Sequence, residues 1–265
     1  MKRTNYMAVT MLIAILVCSC HKNVQTSKSS KTFTPADVPE YLDIRFSSDG
    51  RDIWIKGYDM ATLPENLVIP DGVLSIGEKA FADCKILESV VIPDSVTYIG
   101  DAAFYNCSSL KSVTLPKRLM SIGDSAFHYC TALEGSITIP GCLRSMGSNV
   151  FNNCKLLKSV TIENGVSEIG MHAFEHCTAL ESVDIPDSVT KIGAGAFCWC
   201  ESLDSVAISA NITNIGKHAF YDSVKEVQFA GRKAHWRSLD KSVYETFDDD
   251  LVVHCTDGDI TKWYE

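Results

Sequence analysis

The feature that most constrains this chain is an internal repeat of 23 residues, present in seven copies from Leu67 onward. Successive copies are separated by 23, 23, 24, 23, 23 and 23 residues, and the longer step reflects one extra residue within Glu134-Gly135-Ser136. The copies are marked by Ile69-Pro70, Ile92-Pro93, Leu115-Pro116, Ile139-Pro140, Ile162-Glu163, Ile185-Pro186 and Ile208-Ser209. A unit this short cannot bury its apolar side alone and must stack on its neighbours. The repeat therefore predicts one elongated solenoid.

A phenylalanine and a cysteine recur at fixed phases of the repeat. The phenylalanines are Phe81, Phe104, Phe127, Phe151, Phe174, Phe197 and Phe220, and the cysteines are Cys84, Cys107, Cys130, Cys154, Cys177 and Cys200. Because every ring has the same phase, we expect one stacked internal spine. Neighbouring coils lie about 4.8 Å apart, beyond the usual Cβ separation in a disulfide, so we expect the cysteine row to be buried and reduced. The sequence leaves the redox states of Cys142, Cys198 and Cys255 open.

The segments between these landmarks predict the elements of each coil. Leu110 to Leu115 alternates apolar and polar residues, which indicates a short strand that pairs with its equivalents in a parallel sheet. Pro116 then ends the strand because it has no N–H to donate. The glycine of each Ile-Gly pair indicates either a positive φ or a close backbone approach. The Asp-x-Ala-Phe stretch that follows suits a helical or 3₁₀ turn.

The full unit, Cys-x-x-Leu-x-x-Val-x-Ile-Pro-x-x-Val-x-x-Ile-Gly-x-x-Ala-Phe, resembles the leucine-rich repeat of BspA-like bacterial envelope proteins. The resemblance covers residues 67–229 as seven repeats, with an N-terminal cap at 39–66 and a C-terminal cap at 230–265. It implies an α/β repeat solenoid, a right-handed coil with a parallel β-sheet on one face and short helical or 3₁₀ turns on the other. It also implies non-enzymatic binding or adhesion, without a cofactor.

The N-terminus predicts export. Lys2 and Arg3 precede an apolar run that is too short to span a bilayer and is typical of a signal peptide. The run ends at Val17-Cys18-Ser19-Cys20, which resembles a bacterial lipobox of the Bacteroides type. We expect residues 1–19 to be removed, Cys20 to carry the lipid, and residues 20–38 to form a flexible tether. The alternative is an ordinary secretory peptide, and the sequence does not decide between the cell surface and the periplasmic face of the outer membrane.

The outward side of the predicted sheet is the candidate partner face, for a protein or a glycan ligand. Its positions are Ser112, Thr114, Ser136, Thr138, Ser159, Thr161, Ser182, Asp184 and Ser205. The alternative is a solvated ladder that only supports strand pairing. Aromatic residues on the turn side, namely Tyr105, Tyr129, Trp199 and Tyr221, are a second set of candidates. A net charge of −9 disfavours nucleic acid as a partner.

One segment of the sequence matches a catalytic motif. His172, Glu175 and His176 form His-x-x-Glu-His, which resembles an inverted zinc-protease motif. The two histidine positions hold Lys79 and Asp83 in the first copy, so we interpret them as variable outer sites of the repeat. We expect no metal site and no enzyme, and we keep a zinc hydrolase only as a minor alternative. A structural envelope assembly protein is the other alternative function.

Overall fold

The computed structural model describes residues 34–47, 52–239 and 251–261, which belong to one compact unit. None of the helices in these residues has the length and apolar composition that a membrane-spanning segment needs. The predicted signal peptide, the lipid-bearing Cys20 and most of the predicted tether lie outside the described residues, so these remain predictions.

A first row of parallel strands forms one side of the solenoid. Its strands are β3 (Asn66–Val68), β5 (Ser89–Val91), β7 (Ser112–Thr114), β9 (Glu134–Ile139), β10 (Leu156–Ile162), β12 (Ser182–Asp184), β14 (Ser205–Ile208) and β16 (Glu226–Phe229). Equivalent residues pair in register, so that Val90 lies beside Val113 and Val160 beside Val183. The row runs through three successive sheets, β3-β5-β7, β9-β10-β12 and β14-β16. The predicted parallel pairing of the repeats is confirmed.

A second row of strands lies where the sequence indicated only a turn. Its two-residue strands are β4 (Ser75–Ile76), β6 (Tyr98–Ile99), β8 (Ser121–Ile122), β11 (Glu168–Ile169), β13 (Lys191–Ile192) and β15 (Asn214–Ile215). They also pair in parallel, with Ile76 beside Ile99 and Ile192 beside Ile215. In each strand the isoleucine is buried, while the residue before it is exposed or half-buried. Two residues are too few for an alternating pattern, which is why sequence reasoning missed this row.

The predicted helical or 3₁₀ turns are wrong. Within the described residues, helix is confined to the 3₁₀ segment Pro35–Asp37 and to α1 (Lys233–Ser238), outside the repeats. After each glycine the backbone N–H groups alternate in direction. In the first copy, the N–H of Phe81 donates to Ala103 O of the next coil at 2.7 Å, whereas that of Ala82 donates back to Lys79 O at 3.1 Å. Because alternate N–H groups bond between coils, a helical i→i−4 ladder cannot form.

The repeat glycines permit a close approach of neighbouring coils. A Cβ added at Gly100 would lie 2.6 Å from Glu78 N, and Gly100 does not have a positive φ. Of the two readings that the sequence left open, close approach is therefore the correct one. Gly135, within the predicted one-residue insertion, differs because it has φ +74° and open space around it. Beside it the β9–β10 register shifts by one residue, because Leu157 pairs with Gly135 and Ser159 with Ser136 while Lys158 between them stays outside the pairing, and regular pairing resumes at Val160.

The phenylalanine spine is confirmed. All seven rings are fully buried, and adjacent rings stack with centroids 5.0 to 5.5 Å apart and nearly parallel planes. Tyr58 extends the spine by one ring, since it stacks on Phe81 at 5.5 Å. The rings, together with the Leu, Val and Ile rows, form one continuous hydrophobic core along the repeats.

The cysteine row is buried and reduced, as expected. Five of the six thiols donate to the carbonyl of the phenylalanine one coil earlier, namely those of Cys107, Cys130, Cys154, Cys177 and Cys200. Cys107 Sγ lies 3.1 Å from Phe81 O and Cys177 Sγ lies 3.2 Å from Phe151 O. Burial raises the pKa of the Cys177 thiol to about 12. Ser223 replaces cysteine in the last copy, where its hydroxyl bonds to Phe220 O at 2.7 Å.

Short elements cover the two ends of the repeats. At the N-terminal end, β1 (Leu42–Phe46) and β2 (Ile53–Tyr58) form an antiparallel pair, and β2 continues into the second row through β4. At the other end, α1 and the strands β17 (Val252–Cys255) and β18 (Gly258–Ile260) follow β16. Trp236 of α1 is buried against Phe229, with ring centroids 5.0 Å apart. Cys198 and Cys255 are free thiols.

Candidate binding surfaces

The sheet face consists of the outward residues of the first row. All nine predicted partner-face positions lie on it, and all are exposed except Ser159, which is half-buried. Thr161 Oγ1 contacts Asp184 Oδ2 of the next strand at 3.5 Å. At the N-terminal end of the face, Val68 and Val91 occupy the position that Thr114 holds in the next strand, and they are 62% and 53% exposed. The sheet face is thus a flat strip of small side chains with an apolar end.

The turn face consists of the residues beside each spine phenylalanine, on the surface of the turns. Two positions in every turn have positive φ. The first comprises Lys79, Ala102, Ser125, Asn149, His172, Gly195 and His218, and the second comprises Asp83, Asn106, Tyr129, Asn153, His176, Trp199 and Asp222. Inter-coil backbone hydrogen bonds hold these positions, for example from Tyr129 N to Asn152 O at 2.9 Å. The side chains of consecutive coils therefore form fixed columns.

An aromatic cluster occupies the turn face in the second and third copies. The rings of His128 and Tyr129 stack at 4.2 Å, and Tyr105 meets both of them edge to face, at 5.5 and 6.0 Å. Tyr129 is 39% exposed, and it offers a ring to solvent. Burial lowers the pKa of His128, with the nearby Glu175 carboxylate opposing that shift, so the imidazole is neutral at pH 7.

A second aromatic cluster lies on the turn face toward the C-terminal end. His176 stacks on Trp199 at 5.8 Å, and Tyr221 meets both Trp199 and His218 edge to face at 5.7 and 5.4 Å. Trp199 is 36% and Tyr221 39% exposed. Sequence reasoning found the tyrosines and the tryptophan but missed His128 and His218. Both histidines lie within two residues of a spine phenylalanine, and this position in the repeat could have identified them.

A polar network separates the two aromatic clusters. Asn152, only 4% exposed, donates from Nδ2 to Asn149 Oδ1 at 2.9 Å and to Glu175 Oε2 at 2.8 Å. Asn153 Nδ2 donates to Asn152 Oδ1 at 2.6 Å. His172 Nδ1 lies 3.2 Å from Glu175 Oε2, an ion-pair distance, but without hydrogen-bond geometry to any described residue. The network holds Glu175 and the asparagines in one arrangement.

The geometry of His172, Glu175 and His176 does not support a zinc site. Both histidines have positive φ, 53° and 58°, so they are not one helical turn apart as the zinc-protease motif requires. The His172 ring packs over Gly195, and the His176 ring stacks on Trp199. In the described part of the chain, no group of three or more His, Cys, Asp or Glu residues could hold a metal ion. Glu175 instead has a structural contact with the buried Asn152.

The comparisons with known proteins agree with this architecture. A family model for the "BspA type Leucine rich repeat region" matches residues 59–178 and 135–245 in six copies. The chain belongs to this family of leucine-rich repeat proteins. The resemblance that the repeat pattern indicated is thus confirmed. A comparison of this BspA-type chain with curated proteins gives no significant match.

Two solved structures illustrate the relationship. A leucine-rich repeat protein from Bacteroides ovatus is 28% identical with a TM-score of 0.63, and the match covers 73% of this BspA-type chain and 60% of the other. The leucine-rich repeat protein TpLRR from T. pallidum is also 28% identical, with a TM-score of 0.59 and coverage of 82% and 98%. The chain therefore spans less than two thirds of the B. ovatus protein.

Proposed function

We propose that this chain is a lipid-anchored, non-enzymatic envelope protein that binds a macromolecular partner, a protein or a glycan, through its repeat surface. The observation that carries the proposal is the sheet face, where parallel pairing holds the eight strands of the first row in three successive sheets. Each of these sheets resists deformation because its strands are hydrogen-bonded to one another. Little conformational entropy is lost when such a pre-organised surface binds.

The anchor is tested at Cys20. Mass spectrometry of the mature protein should find a diacylglyceryl group on Cys20, and Cys20→Ala should shift the chain from the membrane fraction to the soluble fraction. Two acyl chains give stable attachment whereas one is marginal, so the shift should be nearly complete. Unmodified Cys20, or membrane association that survives Cys20→Ala, would contradict the anchor.

The sheet face is tested by adding charge and bulk to it. Thr114→Arg combined with Thr138→Arg places two long cations on adjacent strands without touching the core. The matched control is Ala61→Arg with Thr62→Arg, on the exposed loop after β2. Biolayer interferometry against immobilised matrix proteins and polysaccharides should show, for at least one of these probes, a loss of binding of at least tenfold in the first pair only. No binding by the unmodified chain to any probe, or equal loss in both pairs, would count against the proposal.

A further inference from the structure

We propose that the turn face between Tyr129 and Trp199, here called the ring strip, binds a neutral polysaccharide chain. The ring strip comprises the second positive-φ position of four consecutive coils, Tyr129, Asn153, His176 and Trp199, flanked by Glu175. It lies on a different surface from the sheet face and specifies the chemical class of its partner. It goes beyond the sheet-face proposal, and either can hold without the other.

The first observation is the backbone conformation at the two partly exposed rings. A positive φ suits asparagine, aspartate and glycine, and it is unusual for a bulky side chain. The same column holds Asp83, Asn106 and Asp222 in other coils, which are the residues that the conformation favours. Tyr129 and Trp199 adopt φ values of 61° and 60° there; one ring stacks on His128 and the other on His176, and 39% and 36% of the two residues' surfaces remain exposed to solvent. Local conformational preference does not account for these two rings, and their contacts with neighbouring rings leave part of each exposed, where a ligand could bind.

The second observation is the fixed spacing of the strip. Tyr129 and Trp199 lie three coils apart, which at about 4.8 Å per coil places them about 14 Å from each other. Their N–H groups bond to Asn152 O and Tyr221 O of the following coils, both at 2.9 Å. The two rings therefore stand at a set separation on a rigid backbone. An elongated ligand can contact both at once without ordering the protein.

The third observation is the chemistry between the rings. Asn153 and Glu175 are half-buried, and the network through Asn152 fixes their orientation. Amide and carboxylate groups can exchange hydrogen bonds with the hydroxyl groups of a sugar, while the C–H face of a pyranose packs on an aromatic ring. The ring strip has an aromatic ring at each end and amide, carboxylate and imidazole groups between them. This arrangement matches a polysaccharide, whose surface alternates between C–H faces and hydroxyl groups. An apolar peptide segment would leave these polar groups unpaired.

The fourth observation is charge. The turn positions between the two rings contain no lysine or arginine, and Glu175 contributes a negative charge. The His128 imidazole at the edge of the strip is neutral at pH 7. At these turn positions an acidic polysaccharide would meet no lysine or arginine, and a chain of net charge −9 would repel it. The strip therefore favours a neutral glycan.

The test replaces the rings with the residue that the backbone prefers. Tyr129→Asn with Trp199→Asn puts asparagine at both positions, as in Asn106 and Asn153, so the relief of backbone strain offsets the lost ring contacts and the thermal unfolding midpoint should change little. Affinity gel electrophoresis of the full chain, in gels that contain galactomannan, xyloglucan, mixed-linkage β-glucan or starch one at a time, should show retardation by at least one of them. The double variant should lose at least tenfold in association constant, whereas Tyr129→Phe should retain binding.

Tyr98→Ser is the matched control because Tyr98 is an exposed ring in the second row, where Ser75 and Ser121 occupy the same phase. It should bind as the unmodified chain does. Absence of retardation by every neutral polysaccharide would overturn the inference, as would equal binding by the double variant. Retardation only by heparin or polygalacturonate, or binding only to proteins, would overturn it as well. If sheet-face binding persists in any of these cases, the proposed function stands without the ring strip.

Discussion

Removal of a single ring from the middle of the spine should destabilise the protein strongly. Phe127 is fully buried and stacks between Phe104 at 5.0 Å and Phe151 at 5.3 Å. Each stacked pair contributes roughly 0.5–1.5 kcal/mol beyond burial. Phe127→Ala loses two such pairs and the burial of a large apolar side chain, and it leaves a cavity between coils. We expect a decrease of about 3–5 kcal/mol in the free energy of unfolding.

Urea unfolding followed by circular dichroism measures this decrease as a lower midpoint. Phe127→Leu keeps most of the apolar volume without the ring, so it should cost less, about 1–2 kcal/mol. The difference between the two variants separates burial from stacking. If Phe127→Ala unfolds at the same urea concentration as the unmodified chain, the spine does not stabilise the solenoid and the reasoning is refuted.

Three further perturbations test separate parts of the account. Burial raises the pKa of Cys177 from 9.0 to about 12, so its contribution to stability is present below pH 9 and is lost as the pH rises toward 12. Cys177→Ala should flatten that decline in a series of urea midpoints, and an unchanged slope would contradict a buried neutral thiol. Gly100→Ala should cost on the order of 1–3 kcal/mol through its clash with the preceding coil, while Gly135→Asn, in open space, should cost less than about 0.5 kcal/mol in the same assay. Glu175→Ala should cost about 1–3 kcal/mol because it leaves the buried Asn152 amide short of a partner. A neutral result in thermal unfolding would show that the network is only a surface feature.

The repeat explains why so much of the fold could be predicted. One copy is ambiguous, but seven copies in phase identify which positions are buried, since a core position must stay apolar in every coil. The burial of the Phe127 ring and of the Cys130 thiol was predicted from their position in the repeat alone. The turns did not follow, because their conformation depends on N–H groups that bond to the next coil. A local sequence pattern cannot show that partner, and so Asp-x-Ala-Phe was interpreted as a helical turn.

The candidate surfaces were predicted less completely. Alternation identified the outward residues of the first row, since side chains of a strand point to opposite faces. The turn face was harder because its columns depend on a positive φ that no pattern in Tyr129 or Trp199 indicates. The sequence motif formed by His172, Glu175 and His176 suggested metal chemistry. In the structure these three side chains contact Gly195, Asn152 and Trp199, respectively. Function at these positions depends on the coil-to-coil geometry.

Of the two faces of the outer membrane that the sequence leaves open, we propose that the repeat scaffold presents its binding surfaces on the outside of the cell. Protease treatment of intact cells that express the chain, followed by mass spectrometry of the released peptides, tests it most directly. The account predicts that peptides from residues 67–229 are released while a periplasmic marker protein stays intact. Release of these peptides only after the outer membrane has been broken would place the surfaces inside the envelope and would contradict the claim.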